Sequence, residues 1–441
     1  MDRICDPFAY GSGPVESCFW PETTRALSYQ SLTRNLLADV TIIGSGFTGL
    51  SAALRLASAG LKVVVLDAKQ PGWGASGRNG GFCCMGGSKL PEKALVSRFG
   101  DADALDYRLA ERDAVDFVDH LISSLGFDVD RHSNGEVVLA HRKKDLPVLE
   151  HEAQGFRRTF GVEPRMMTQE CLAQEGMSGP FYGGLSIPVG FALNPLKYGL
   201  QLAEAAENAG AMLFGESPVT NVQQTRKGFV VSTSQANVRS RKVILATNGY
   251  ASENIPSWMS GRYIPAQSSV IVTRPLTEQE RAAQGWHSSQ MAYDTRNLLH
   301  YFRLMPDGRF LFGMRGGLST GPKVHKKIRN TVRREFDRMF SEWKDVETPY
   351  FWSGFVCFNA KLLPFAGEIP TAPGLYAAFA YHGNGVAMGS YCGALVADKI
   401  LGRRQLRYPR AIEQPPPKFP GGRFRRLGMW PAYLLYALSD L

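Results

Sequence analysis

One stretch limits what this chain can fold into more than any other. Residues 39–67 read DVTIIGSGFTGLSAALRLASAGLKVVVLD. Residues 40–43 are a short apolar, β-branched run of the kind buried in a parallel sheet. They lead into Gly44-Ser45-Gly46-Phe47-Thr48-Gly49, then a helix-period segment over 50–59. Gly60 punctuates, and a second buried run over 61–66 ends on Asp67. Gly44 permits the tight turn, Gly46 lets a pyrophosphate approach the backbone, and Gly49 lets helix pack on strand. The helix N-terminus offers unpaired N–H groups and the positive end of its dipole to phosphates. Asp67 stands where an acid accepts hydrogen bonds from an adenosine ribose. A glycine-rich turn alone is weak evidence, but strand, helix, second strand and acid together read as a dinucleotide-binding unit.

The 441 residues give length for two or three domains, and 44% hydrophobic with 20% charged residues is ordinary for a globular protein. The seven cysteines (Cys5, Cys18, Cys83, Cys84, Cys171, Cys357, Cys392) are odd in number and contain no CxxC pair. Neither a disulfide framework nor a zinc site is expected, and a reducing compartment fits. The first residues carry acids and no apolar signal core, so a cytoplasmic protein with no metal is the expectation. Residues 374–397 lack charge and are long enough to span a bilayer. Their five glycines, with His382 and Asn384, argue for a buried strand, turn and helix instead.

The net charge of +10 has a location. Residues 403–426 hold eight basic side chains against Glu413 alone. On the expected helix 324–340, Lys326, Lys327, Arg329, Arg333, Arg334 and Arg338 are partly offset by Glu335 and Asp337. Without aromatic interleaving, both read as solvated faces, and no nucleic-acid partner is expected. Pro415, Pro416, Pro417 and the basic run cannot form a packed core, so 403–426 should wrap the surface or remain mobile. Residues 427–438 turn apolar again but are too short to span a bilayer. The preferred reading is a short helix folding back onto the protein or a second subunit, with Trp430, Tyr433 and Tyr436 packing as one face. The alternative lays it in an anionic membrane interface beside Arg423, Arg425 and Arg426.

Along the chain, 1–37 reads as a polar lead-in with aromatic anchors at Phe19 and Trp20. The glycines of 72–81 imply close backbone approach to a ligand. Helices are expected near 90–126, 146–160, 195–209, 324–340 and 386–400. Further strands are expected at 136–140, 229–233, 242–246, 268–273, 309–313 and 374–379. Nucleotide-type strands at 40–43, 61–66, 242–246 and 375–379 are thus separated by long stretches of other material. The fold class is α/β, or α+β overall. A Rossmann-type domain is assembled from 38–130, 191–255 and 350–402, with an inserted mixed-sheet substrate domain from 131–190 and 256–349. The basic tail is 403–441.

Five motifs occur in order: GSGFTG (44–49), GASGRNGG (74–81), VILATNGY (243–250), YFRLMPDGRFLFGMR (301–315) and YHGNGVAMGS (381–390). With them the chain resembles the FAD-dependent oxidoreductases of the D-amino-acid oxidase/glycine oxidase/sarcosine oxidase superfamily. Within it, the chain is most similar to gamma-glutamylputrescine oxidoreductases. The resemblance implies FAD contacts from Gly44, Gly46, Phe47, Thr48, Gly49, Asp67, Ala75, Ser76, Arg78, Asn79, Gly80, Gly81, Val219, Thr247, Gly249, Gly383, Asn384, Gly385 and Val386. Residues 74–81 would wrap the pyrophosphate and reach the flavin. Residues 383–386 would close from the other side, the last helix aiming its dipole at the anionic reduced ring.

The implied reaction is oxidation of an amine or amino acid. Hydride passes from the substrate carbon to flavin N5, and the imine hydrolyses; oxygen or another carrier takes the electrons. Pocket candidates are Tyr293, Arg296, His300, Tyr301 and Arg315, with Tyr293, His300, Tyr301 and Arg315 expected to carry the chemistry. Tyrosines suit an amine by cation–π contact, and an arginine pairs a carboxylate. Tyr301 and Phe302 alternate on a strand, so one of them is core. The chain departs from the family pattern in three places. Asp67 replaces a common Glu, and Asn359 and Lys361 fall where Thr and Asp are usual. Gly354 falls where one branch bonds its flavin covalently through cysteine, so the FAD should be dissociable. Lys361 beside the flavin would alter amine specificity. Two other classes stay open: a flavin-dependent tRNA-modifying subunit, and a flavoprotein subunit without amine oxidase activity. A homo-oligomer is compatible with each.

Overall fold

The scattered nucleotide-type strands come together in one eight-stranded sheet. The computed structural model describes residues 2–440, the side chain of Arg423 excepted. The sheet order is Phe365–Glu368, Leu375–Phe379, Asn237–Leu245, Leu36–Ile43, Val63–Leu66, Met212–Phe214. A hairpin of Asn221–Thr225 and Gly228–Ser232 is added to Asn237–Leu245. The central pairings are parallel, and Phe365–Glu368 runs antiparallel at the edge. The first strand starts at Leu36, before the apolar run, because Leu36, Leu37 and Ala38 pair with Val238, Arg239 and Ser240.

A parallel sheet needs cover on both faces. Helices Phe47–Ser58, Pro195–Asn208 and Ala387–Leu401 contribute to the apolar cluster on one face. The uncharged segment therefore becomes strand Leu375–Phe379 and helix Ala387–Leu401, whose residues are almost all buried. Gly393 lets this helix cross Phe47–Ser58 closely: an added Cβ would lie 2.2 Å from the Thr48 carbonyl oxygen.

The second sheet has the order Tyr350–Phe358, Ile264–Val272, Phe310–Arg315, His300–Leu304, Met291–Asp294, Glu136–Leu139, Gly183–Ile187, Arg165–Thr168. Tyr350–Phe358 pairs antiparallel along its whole length with Ile264–Val272. This corrects the boundary expected at residue 350: 350–358 belongs to the second sheet, and the return to the first comes after Phe358. Helix Pro322–Met339 packs on this sheet through Val332 and Phe336, in a cluster with Phe302, Phe310, Phe312, Phe340 and Trp343.

The tail straps the surface through specific bonds. Lys361 Nζ donates to the Ala411 carbonyl at 2.6 Å and to that of Gln414. Arg407 reaches Asp106 at 2.6 Å and Asp113 at 2.9 Å. Arg425, only 4% exposed, pairs with both oxygens of Glu253 at 2.9 and 2.6 Å. Helix Met429–Ser439 forms at the end, but the expected aromatic face does not. Tyr433 is half-buried, while Trp430 and Tyr436 stay 55% and 46% exposed. Met429, Ala432 and Tyr433 form the helix's half-buried side, and Trp430 and Tyr436 fall outside it. No helix among the described residues is long and apolar enough to cross a membrane.

Candidate active site

A cavity of about 980 Å³ is lined by residues of both sheets. Its nucleotide end is built by the first strand–turn–helix. Gly44 adopts φ +108°, where a side chain is strained. Ser45 N–H and Oγ–H donate to Asp67 Oδ2 at 2.7 and 2.8 Å, and Lys69 N–H to Oδ1 at 2.8 Å. Burial raises the Asp67 pKa, and these donors oppose it. An added Cβ on Gly46 would lie 2.8 Å from Ser76 Oγ, which accepts from Phe47 N–H at 3.0 Å. The turn thus leaves no room for a side chain between backbone and cavity.

Residues 74–81 form the cavity's next wall and are gripped from behind. Trp20 Nε1 donates to the Asn79 carbonyl at 3.0 Å, and Trp352 Nε1 to that of Arg78 at 2.7 Å. The Arg78 guanidinium lies 4.0 Å from the Trp73 ring centroid, and its buried Nη2 has no hydrogen-bond partner among the described residues. Such a donor is costly unless a ligand acceptor meets it.

At the far end, the turn before helix Ala387–Leu401 is fixed by positive φ at Ala380, His382 and Gly383. His382 is fully buried, its Nδ1 donates to the Gly87 carbonyl at 2.7 Å, and burial presses its pKa down to about 3, so it is neutral. Asn384 Nδ2 donates to the Met85 carbonyl at 2.8 Å, docking 85–87 onto this turn. The Arg315 guanidinium lies against Gly383, where an added Cβ would be 2.2 Å from its Nη2. Tyr301 Oη shares a 2.9 Å hydrogen bond with Ser268 Oγ, and Tyr293 completes the wall. Burial raises the pKa of both phenols, keeping them neutral.

Sixteen of the nineteen FAD-contact residues expected from sequence line this cavity: Gly44, Gly46, Phe47, Thr48, Asp67, Ala75, Ser76, Arg78, Asn79, Gly80, Val219, Thr247, Gly383, Asn384, Gly385 and Val386. Gly49, Gly81 and Gly249 lie behind it. Their added Cβ atoms would meet the Gly44 carbonyl, the Leu193 carbonyl and Phe355 respectively, so these glycines serve packing. Of the pocket candidates, Tyr293, Tyr301 and Arg315 line the cavity, whereas His300 and Arg296 do not. The structure places His300 away from the cavity, against the expectation that it faces the substrate. It points to the opposite face of its strand, stacks on Phe312 with 5.3 Å between centroids, and bonds Asp294 at 2.8 Å. Arg296 pairs with the same Asp294. Burial would raise that carboxyl, but its bonds to His300 and Arg296 hold it below the ordinary value. Phe302 is the core member of the Tyr301/Phe302 pair. Lys361 is likewise corrected: it ties down the tail and does not line the cavity.

Sequence reasoning missed Lys89. It lines the cavity, and its ammonium forms no hydrogen bond or ion pair among the described residues. Its side chain is open to the cavity, yet enclosure by the surrounding protein and the neighbouring Arg315 push its pKa down to about 7. Its one local signal was the Gly86-Gly87 pair, which takes φ +133° and +132° to bring this segment across the site.

A parallel-sheet nucleotide unit meeting a second mixed sheet at one cavity is the architecture of a dinucleotide-binding protein. The chain belongs to the DAO family, FAD dependent oxidoreductase, whose sequence model matches residues 39–399. It is 31% identical over 402 residues to the probable oxidoreductase OrdL of Haemophilus influenzae, covering 90% of each chain. It is 29% identical over 415 residues to the gamma-glutamylputrescine oxidoreductase of Escherichia coli, covering 93% of this chain and 95% of that one. The fold is like that of glycine oxidase from Geobacillus kaustophilus, with a TM-score of 0.70 at 18% identity over 84% of this chain and 96% of that one. The protein is an FAD-dependent oxidoreductase. The glycine cradle, the orphaned Arg78 donor and the cavity fit FAD, which residues 44–48, Asp67, 74–80 and 383–386 would hold.

Proposed function

We propose that the protein oxidises the carbon–nitrogen bond of an amine that carries a carboxylate, either an amino acid or an N-substituted relative, with FAD held non-covalently. One observation carries this reading: Arg315 and Lys89 face the same cavity end and neither pairs with an acid among the described residues. Two cations facing one cavity repel unless an anion lies between them. Bound FAD supplies the two-electron acceptor. The protein's groups do the rest. Arg315 binds the carboxylate, Lys89 assists when protonated, and Tyr293 and Tyr301 wall the amine, Ser268 fixing Tyr301. The imine product hydrolyses in water, and oxygen or a carrier re-oxidises the flavin. The E. coli relative's name, gamma-glutamylputrescine oxidoreductase, places an amide of this class among the substrates to try. Dissociable FAD is supported by Gly354 at the cavity wall and by Cys357, whose thiol burial keeps protonated.

The test is anaerobic bleaching of the bound flavin against a panel of amino acids, gamma-glutamylputrescine and simple diamines. Carboxylated amines should bleach it and plain diamines should not. Absence of bleaching by any amine would overturn the reading. Acid precipitation should leave intact FAD in the supernatant; flavin remaining on the polypeptide would refute the non-covalent mode.

A further inference from the structure

The C-terminal helix breaks the rule that a surface helix shows water a polar face. Met429–Ser439 reads MWPAYLLYALS, without a charge. Leu427, Trp430, Leu434, Leu435, Tyr436 and Leu438 are between 46% and 65% exposed. Elsewhere large exposed apolar side chains stand singly, as at Leu37, Leu105 and Val148. A contiguous apolar patch of this kind marks an interaction surface.

The helix is fixed. Asp440 accepts from the N–H groups of Asn297 at 2.8 Å and Leu298 at 2.9 Å, and Arg142 donates to the Ser439 carbonyl. At the other end Arg426 donates to the carbonyls of Ile4, at 3.1 Å, and Leu318. In the middle Tyr433 packs inward, 3.9 Å from where a Gly316 Cβ would stand and beside Arg315 at the cavity. One side is thus seated at the cavity rim and the other is bare.

The flanking charge says what fits the bare side. The same 316–318 turn contacts helix Pro322–Met339, Gly317 meeting Ile328. The early turns of that helix expose Lys323, Lys326, Lys327 and Arg329, none paired with an acid among the described residues. Leucines with Trp and Tyr, flanked by unpaired cations, match the acyl–headgroup boundary of an anionic bilayer. A second copy fits less well, because a two-fold contact would set each cationic flank against its own kind. We propose that helix Met429–Ser439, with the cationic start of helix Pro322–Met339, docks the protein on an anionic lipid surface, setting the cavity rim at Arg315 against the bilayer.

The experiment is co-sedimentation of the full-length holoprotein with vesicles of phosphatidylcholine and phosphatidylglycerol, or of phosphatidylcholine alone. Binding should require the anionic lipid and weaken with salt. Leu434→Glu/Leu435→Glu should abolish it. Lys326→Glu/Lys327→Glu should weaken it about 10-fold or more, at roughly 1 kcal/mol per surface charge. Unchanged flavin content and melting temperature in both variants show that the fold is intact. Two results would overturn the proposal: no binding to anionic vesicles, or binding unaffected by Leu434→Glu/Leu435→Glu. Light scattering that shows this variant converting a dimer to a monomer, without vesicle binding by the native chain, would assign the face to a second copy instead.

Discussion

Replacing Gly49 by alanine adds one methyl group where the nucleotide turn has no space for it. The new Cβ would lie 1.9 Å from the Gly44 carbonyl oxygen, 3.1 Å from its carbon and 3.2 Å from Ile42 Cγ2. The obstacle is backbone, so no side chain can swing aside, and helix Phe47–Ser58 must withdraw by roughly 1 Å or more to relieve it. Its other side is already against Ala387–Leu401, where Gly393 approaches Thr48 too closely to admit a Cβ. Overpacking of this kind costs about 1–3 kcal/mol. Because the displaced residues are those expected to offer their N–H groups to the phosphates, the same cost should fall on FAD, weakening its Kd about 5–150-fold. The assay is titration of deflavinated protein with FAD, following quenching of flavin fluorescence. A parallel Gly428→Ala variant, outside the cavity lining and with nothing within 4 Å of its Cβ, should keep its affinity. A Gly49→Ala protein that binds FAD as tightly as the native chain would refute the packing argument.

Two further predictions concern the far end of the cavity. Lys89 is cationic below its pKa of about 7 and neutral above it. Binding of a monocarboxylate such as propionate, read from the flavin spectrum, should therefore weaken as pH rises through 7. Lys89→Met should remove that step, and Arg315→Met should weaken binding about 10-fold or more at every pH, the loss of a charge-assisted hydrogen bond; a step that persists without Lys89 would refute its assignment. His300→Phe strips the buried Asp294 of one partner and should cost about 1–3 kcal/mol of stability with KM unchanged. A large loss of turnover at native melting temperature would return His300 to the chemistry.

The nucleotide unit was legible because its signal is local: strand, glycine turn, helix and Asp67 all lie within 39–67. Tyr350–Phe358 was not, since what decides its sheet is a partner at Ile264–Val272, far away in the chain. Alternation along 300–304 told that neighbouring side chains face opposite ways, but not which way the cavity lay, so His300 was chosen together with Tyr301. Lys89 sits in an aperiodic loop and acquires its role from Arg315, which the chain reaches more than two hundred residues later. Trp430 and Tyr436 failed to pack because spacing fixes a face without supplying a surface to receive it.

The two indoles that hold residues 74–81 come from distant parts of the chain and meet edge to face, Trp20 from the lead-in and Trp352 from the second sheet. A loop shaped for the cofactor is therefore also a rivet between regions that mature at different times during synthesis. Where a ligand stabilises only the assembled form, a concentration a hundred times its Kd adds about 2.7 kcal/mol. If FAD fastens this loop, chains made when FAD is scarce should be more open to proteases, and the quantity of intact enzyme should follow flavin supply. Substitutions at Trp20 should then lower yield in poor medium, and added riboflavin should recover it.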